Sequence, residues 1–144
     1  MREPKIVFFL FVVFAALLSP LPVAAGDFGW TRDFNVRAEA DPQGFRARLS
    51  ARFKIGQGEV GVVLGNVDSP ADAYIVFRLG EMSSNPVERV LDKYKAGKNK
   101  GWGALAQSLG IKPGSKAFHA LKNGSDIYSG MGKGKDNRKD RNKS

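Results

Sequence analysis

A chain of 144 residues with one histidine and no cysteine leaves few places for covalent chemistry. Without cysteine there is no thiolate nucleophile, no lipid attachment through an N-terminal cysteine and no zinc site that needs thiolate. The lone His119 excludes a His-rich metal site, and a Ser–His–Asp hydrolase would have to use it. No Gly-x-Ser-x-Gly elbow accompanies it. Paired carboxylates are the other route to acid–base work. Glu88 and Asp92 fall four apart on one helical face, but Arg89 and Lys93 stand beside them, which describes a solvated charged face. Asp68 and Asp72 flank a helix start, where the helix dipole accounts for them. Asp136 and Asp140 sit among Arg138, Lys139 and Arg141, a poor setting for calcium or magnesium. Gly132-Lys133 has Ile127, not glycine, five residues upstream and fails the phosphate-loop spacing. The chain therefore reads as non-enzymatic, with no cofactor and no metal. A hydrolase using His119 is the weakest of three functional readings.

Basic residues remain. The chain carries 23 basic and 14 acidic residues, a net charge of +9, which favours contact with anionic surfaces and says nothing about fold. Arg46, Arg48, Arg52 and Lys54 crowd one segment, and Lys93, Lys95, Lys98 and Lys100 a second. Lys133, Lys135, Arg138, Lys139, Arg141 and Lys143 form a third. Such runs usually mark a solvated surface, and they also suit loose, salt-sensitive attachment to an anionic polymer.

The elements that position these groups begin after an export signal. Arg2 and Lys5 precede thirteen residues, Ile6 to Leu18, without a polar side chain. Ser19, Pro20 and Pro22 break the run, and Val23-Ala24-Ala25 places small residues before Gly26. Positive start, short apolar middle and small-residue exit define a secretory signal; a span would need about 20 apolar residues. Cleavage is expected after Ala25, leaving one small domain held by apolar packing alone.

Residues 26–43 show no sustained periodicity and read as an irregular lead-in whose Phe28, Trp30 and Phe34 pack on the domain. In residues 45–55 the apolar positions alternate, as in a strand, while Phe45, Leu49 and Phe53 recur every four, as in a helix. The alanine and arginine content favours helix. Ser69-Pro70-Ala71-Asp72 is a capped helix start. The spacing places Asn85-Pro86-Val87-Glu88 as a second one, with Glu88 as a capping-box partner. Val87, Val90, Leu91 and Tyr94 then form one apolar stripe, and Trp102, Leu105, Ala106 and Leu109 another that Gly110 closes. After Lys112-Pro113-Gly114, Ser115 caps a last helix carrying Phe118 and Leu121. Tyr74 to Leu79 has strand-like content, yet its cap and Met82 favour a buried helix.

The apolar positions also suggest an internal repeat of helical hairpins. Val60, Val63 and Leu64 map onto Val87, Val90 and Leu91 with a shift of 27 residues. A third unit runs from Leu105, Leu109 and Ile111 to Phe118 and Leu121. Residues 101–124 resemble the DNA-binding helix-turn-helix, with Ala106 and Gly110 at its small-residue and turn-glycine positions. The second helix of that motif would present Lys116, His119 and Lys122 to a groove, although Lys112 to Ser115 lengthen the turn. The same stretch resembles a set of uncharacterised small exported bacterial proteins. Its signature is matched by Gly101, Trp102, Gly103, Ala106, Leu109 to Ser115 and Phe118 to Lys122, with Pro70 to Ala73 upstream. The resemblance covers roughly residues 45–128 and implies a compact helical domain, with no activity or binding residues to carry over.

The expected protein is thus all-α: a small bundle of five or six short helices arranged as helical hairpins, with a disordered basic C-terminal tail. Its parts are a signal peptide (1–25), an irregular lead-in (26–43), a helical domain (44–128) and the tail (129–144). Trp102, Gly103, Gly110 and Pro113 are expected to be structural, with Gly101 and Gly103 letting backbone approach the indole. The function expected is that of a periplasmic or secreted envelope protein, binding or structural, whose basic surfaces meet an anionic envelope polymer, a membrane surface or another envelope protein. A nucleic-acid-binding helix-turn-helix protein is the alternative.

Overall fold

The computed structural model describes residues 28–129. The signal segment and the six tail cations Lys133, Lys135, Arg138, Lys139, Arg141 and Lys143 lie outside the described residues. Within them the chain forms seven α-helices and no strand: α1 Thr31–Ala40, α2 Pro42–Phe53, α3 Gln57–Leu64, α4 Pro70–Ser83, α5 Val87–Ala96, α6 Gly101–Ser108 and α7 Lys116–Asn123. None of the described helices is long and apolar enough to cross a membrane.

Helix α4 is the hub. Ala71, Ala73, Tyr74, Ile75, Val76, Phe77, Leu79 and Gly80 are all buried, so this helix is apolar around most of its circumference. That is the pattern of a helix enclosed by others, and α1, α3, α5 and α7 all pack on it. The strand-like content of Tyr74–Leu79 reflects that enclosure. Its start is secured twice: the Asp72 N–H donates to Ser69 Oγ at 3.2 Å, and the Ala71 N–H donates to Asn35 Oδ1 of α1 at 2.7 Å.

Residues 45–55 are helical as far as Phe53, with Phe45 and Leu49 buried on one face. The lead-in expected to be irregular is corrected. Residues 31–40 form α1, and α2 begins at Pro42 under an Asp41 cap that accepts from the Gly44 N–H at 2.9 Å. Helix α1 offers only Phe34 and Ala38 as buried positions, too few for a periodic signal. It is stabilised by tertiary contact, the Phe34 ring lying 5.0–5.6 Å from those of Trp30, Phe45, Tyr74 and Tyr128. This helix also raises the count above the five or six expected.

Three turns are built alike. The N–H groups of Ile55, Asn85 and Ile111 donate to the carbonyls of Ser50, Gly80 and Ala106 at 3.1, 3.1 and 2.9 Å. The residue before each donor, Lys54, Ser84 or Gly110, has a left-handed backbone with φ of 56°, 54° and 82°. This is the 6→1 helix-ending bond with a left-handed residue inside it. The repeat is therefore real at the turns, but its first step is 30 residues rather than 27, and its second is 26. Apolar positions alone misplaced it because α3 and α5 share only their first buried position, Val60 and Val90, and then diverge.

The first two turns reach the next helix through a single residue and an N-terminal flank, Gly56 or Pro86, of extended backbone. The Asn85 side chain does not cap α5; it donates to the Ser83 carbonyl at 3.3 Å, so the capping box expected with Glu88 is not formed. The third turn is lengthened by Lys112, Pro113 and Gly114, all exposed, before Ser115 caps α7 through the Phe118 N–H at 3.3 Å. Helix α7 then packs on α4. The N-terminal segment fastens its far end: the Phe28 N–H donates to the Lys122 carbonyl and Trp30 Nε1 to that of Leu121, at 2.9 and 3.0 Å.

Candidate functional site

Half of the first basic cluster is consumed by the fold. Arg52 donates through Nη1 and Nη2 to the two carboxylate oxygens of Glu81 at 3.0 and 3.1 Å, and through Nε to Asp126 at 2.6 Å. Arg78 pairs with Glu81 as well. The Glu81 carboxyl is held below its ordinary range by the Arg52 hydrogen bonds. Burial pushes Asp126 up, but hydrogen bonds from Arg52 and Tyr74 outweigh it and the net shift is downward. Arg48 lies over the Tyr128 ring at 5.7 Å, with Arg37 nearby at 5.9 Å. Of the four cluster residues only Arg46 and Lys54 are exposed, and Lys54 is the left-handed residue of the first turn.

The structural quartet divides. Gly110 occupies the left-handed position its turn needs. Trp102 is half-buried and stacks on Tyr94 with ring centroids 5.6 Å apart and planes at 23°. A Cβ on Gly101 or Gly103 would meet no other part of the fold within 4 Å. Gly101 is explained by its φ of +80°, and nothing in the structure explains Gly103. Pro113 stands exposed in the lengthened turn.

A polar cleft of about 150 Å³ lies where α4 begins and α5 ends, lined by Asp68, Asp72, Tyr94, Lys98 and Trp102. The Tyr94 hydroxyl donates to Asp72 Oδ2 at 2.8 Å and lies 3.2 Å from Asp68 Oδ2, while Lys98 Nζ donates to Asp68 Oδ1 at 2.8 Å. The Lys98 hydrogen bond draws the exposed Asp68 carboxyl downward, and burial, then the Asp72 contact, pushes the Tyr94 phenol up. These groups satisfy one another and join two helix ends. His119 is exposed on α7, and no hydrogen bond or ion pair among the described residues engages its imidazole. No group of three or more metal-ligating side chains forms there either.

A second set of cations lies further along. Between Asp92 and Asp126 the chain carries seven lysines, no arginine and no acidic residue. Residues 28–92 carry seven arginines, one lysine and nine acidic residues. This division has a physical basis. A guanidinium fork suits fixed pairing with carboxylates and stacking on rings, and Arg37, Arg48, Arg52 and Arg78 are used that way. An ammonium is a strongly hydrated point charge. Lys95 Nζ reaches Asn66 Oδ1 at 2.6 Å and Lys98 is paired with Asp68. The ammonium groups of Lys93, Lys100, Lys112 and Lys116 make no hydrogen bond or ion pair among the described residues. Lys93 and Lys100 also line a cleft of about 180 Å³ between α5 and α6, with Ala96, Ala104, Leu105 and Ser108. The four lysines at 93, 95, 98 and 100 are grouped by sequence; the structure splits them into two that are paired and two that share this cleft. Compared with known proteins, the chain matches no family model, no curated sequence and no solved structure.

Proposed function

We propose that this is an exported, non-enzymatic protein of the cell envelope that attaches to an anionic polymer through its lysine segment, 93–122, rather than through the Arg46–Lys54 cluster. The observation that carries this reading is the uninterrupted positive charge of that segment, continued by a basic C-terminal stretch, set against the near-neutral residues that precede it. A charge of one sign without interspersed acids creates an attractive field for polyanions, whereas ion-paired arginines contribute little to it. The export half of the reading rests on the N-terminal pattern alone.

The nucleic-acid alternative needs a short turn and a cationic second helix in the same unit. The two short turns lead into α3, which carries Glu59 and no cation, and α5, whose first turns mix Glu88 and Arg89. The lysine-rich α7 follows the lengthened turn. Turn and charge are therefore separated, which supports the polymer reading. Retention of the purified chain on heparin, lipopolysaccharide and duplex DNA across a salt series tests it. Graded loss with salt on all three is expected, because each phosphate or sulfate contact releases counterions. No retention at low salt, or DNA affinity that depends on base sequence, would overturn it.

A further inference from the structure

We infer that the cleft between α5 and α6 is a subsite for the phosphodiester groups of a polyol- or sugar-phosphate polymer, seated between Lys93 and Lys100. The inference deepens the polymer reading above and rests on it. Its second support is the composition of the cleft, whose charged lining is lysine alone and whose remaining wall is Ala96, Gly97, Ala104, Leu105 and Ser108. Two ammonium groups that lack partners of their own supply point charges to a phosphate, the role lysine fills where no planar fork is needed. Ser108 lines the cleft and its Oγ donates to the Leu105 carbonyl at 2.7 Å, which leaves its lone pairs to accept from a ligand hydroxyl. Ala96, Ala104 and Leu105 make an apolar wall against which the carbon skeleton of a polyol or sugar rests.

Nucleic acid is the other phosphodiester polymer, and the surroundings disfavour it. Single strands are held largely by stacking bases on exposed rings. Here Tyr94 and Phe118 are buried, and Trp102 is stacked on Tyr94 and lines the neighbouring cleft rather than this one. Residues 93–125 also lack an arginine to read guanine edges.

The test compares two charge-matched double variants of the full chain, K93Q/K100Q and K112Q/K116Q, for binding to poly(glycerol phosphate) and to duplex DNA at fixed salt. Thermal melting and circular dichroism verify that both remain folded. The cleft variant is expected to lose about 10-fold or more in affinity for poly(glycerol phosphate), and the control about 2- to 4-fold, the scale of two exposed charges. In the unsubstituted chain, glycerol 3-phosphate is expected to shift the amide resonances of Ala96, Ala104 and Ser108. Equal losses in the two variants would overturn the subsite while leaving the lysine segment as a diffuse polyanion surface. Tighter binding to DNA than to poly(glycerol phosphate) would overturn the choice of polymer. Failure of the unsubstituted chain to bind either at low salt would overturn the reading beneath it.

Discussion

Arg52 and Asp126, 74 positions apart, meet through Nε and Oδ2 at 2.6 Å, and the same guanidinium spans both oxygens of Glu81. One side chain of α2 thereby ties α4 and the segment after α7 into a single network. The Tyr74 hydroxyl completes it, donating to Asp126 Oδ1 at 2.9 Å and accepting the Asp126 N–H at 3.1 Å.

Removing that guanidinium should cost more than removing an exposed neighbour. Arg52→Ala is expected to lower stability by about 1–2 kcal/mol, discounted for the partial exposure of its partners. Arg46→Ala should stay within about 0.5 kcal/mol. A double-mutant cycle with Asp126→Asn, followed by urea unfolding, isolates the pair. Additive losses would show that the ion pair is incidental.

Acid should act on the same network. The Glu81 and Asp126 carboxyls are lowered in the folded protein. Their contribution is therefore present above their unfolded values of about 4 and is lost as pH falls through the folded ones. Thermal midpoints should decline below about pH 5, and Arg52→Met should flatten that decline.

Alkali acts with the opposite sign. Burial, with Asp126 beside it, pushes the Tyr74 phenol up to about 12. Its stabilising effect is full below the unfolded value of about 10 and fades between about 10 and 12, where the unfolded chain's phenol ionises while the folded one keeps its proton, until the folded phenol ionises too. Ultraviolet titration of the phenolate together with thermal midpoints across that window checks this. A midpoint unchanged through pH 12 would contradict it.

The three matched turns make a further set of tests. Lys54 and Ser84 hold left-handed backbones that cost a side chain about 1 kcal/mol. Lys54→Gly and Ser84→Gly should therefore raise stability by about 0.5–1 kcal/mol, and Gly110→Ala should lower it by a similar amount. Gly80→Ala is different. Its Cβ would lie 3.2 Å from the Asn85 carbonyl oxygen and 3.7 Å from Val90 Cγ2, so the loss should exceed that of Gly110→Ala. Denaturant midpoints rank the four.

Export has its own check. N-terminal sequencing of the protein recovered from cell fractions should begin at Gly26 and place it outside the cytoplasm. Intact Met1 in the soluble cytoplasmic fraction would remove the envelope from consideration.

Helical character was legible wherever a cap preceded an apolar stripe, as at Ser69 before α4 and Ser115 before α7. Helix α1 was not, because two buried residues cannot declare a period and its order comes from rings contributed by distant segments. The hydrogen bonds of the matched turns were invisible for a related reason: they run between backbone groups, and the residues at the left-handed position (lysine, serine and glycine) share no side-chain chemistry. The candidate site was half legible. Composition grouped Lys93, Lys95, Lys98 and Lys100, but only the placement of Asn66 and Asp68 beside Lys95 and Lys98 shows which of the four are paired. In the Arg46–Lys54 cluster the partners of Arg48 and Arg52 were not legible, because Glu81, Asp126 and the ring of Tyr128 arrive from far along the chain.

The division between guanidinium groups that brace the helices and primary amines that meet water has a chemical corollary. A mild acylating reagent that caps amines and spares arginine would strip the outward charge of the lysine segment while leaving the Arg52 network intact. The braces between helices and the outward charge of the lysine segment thus respond to different chemistry, and each can be altered with the other as its control.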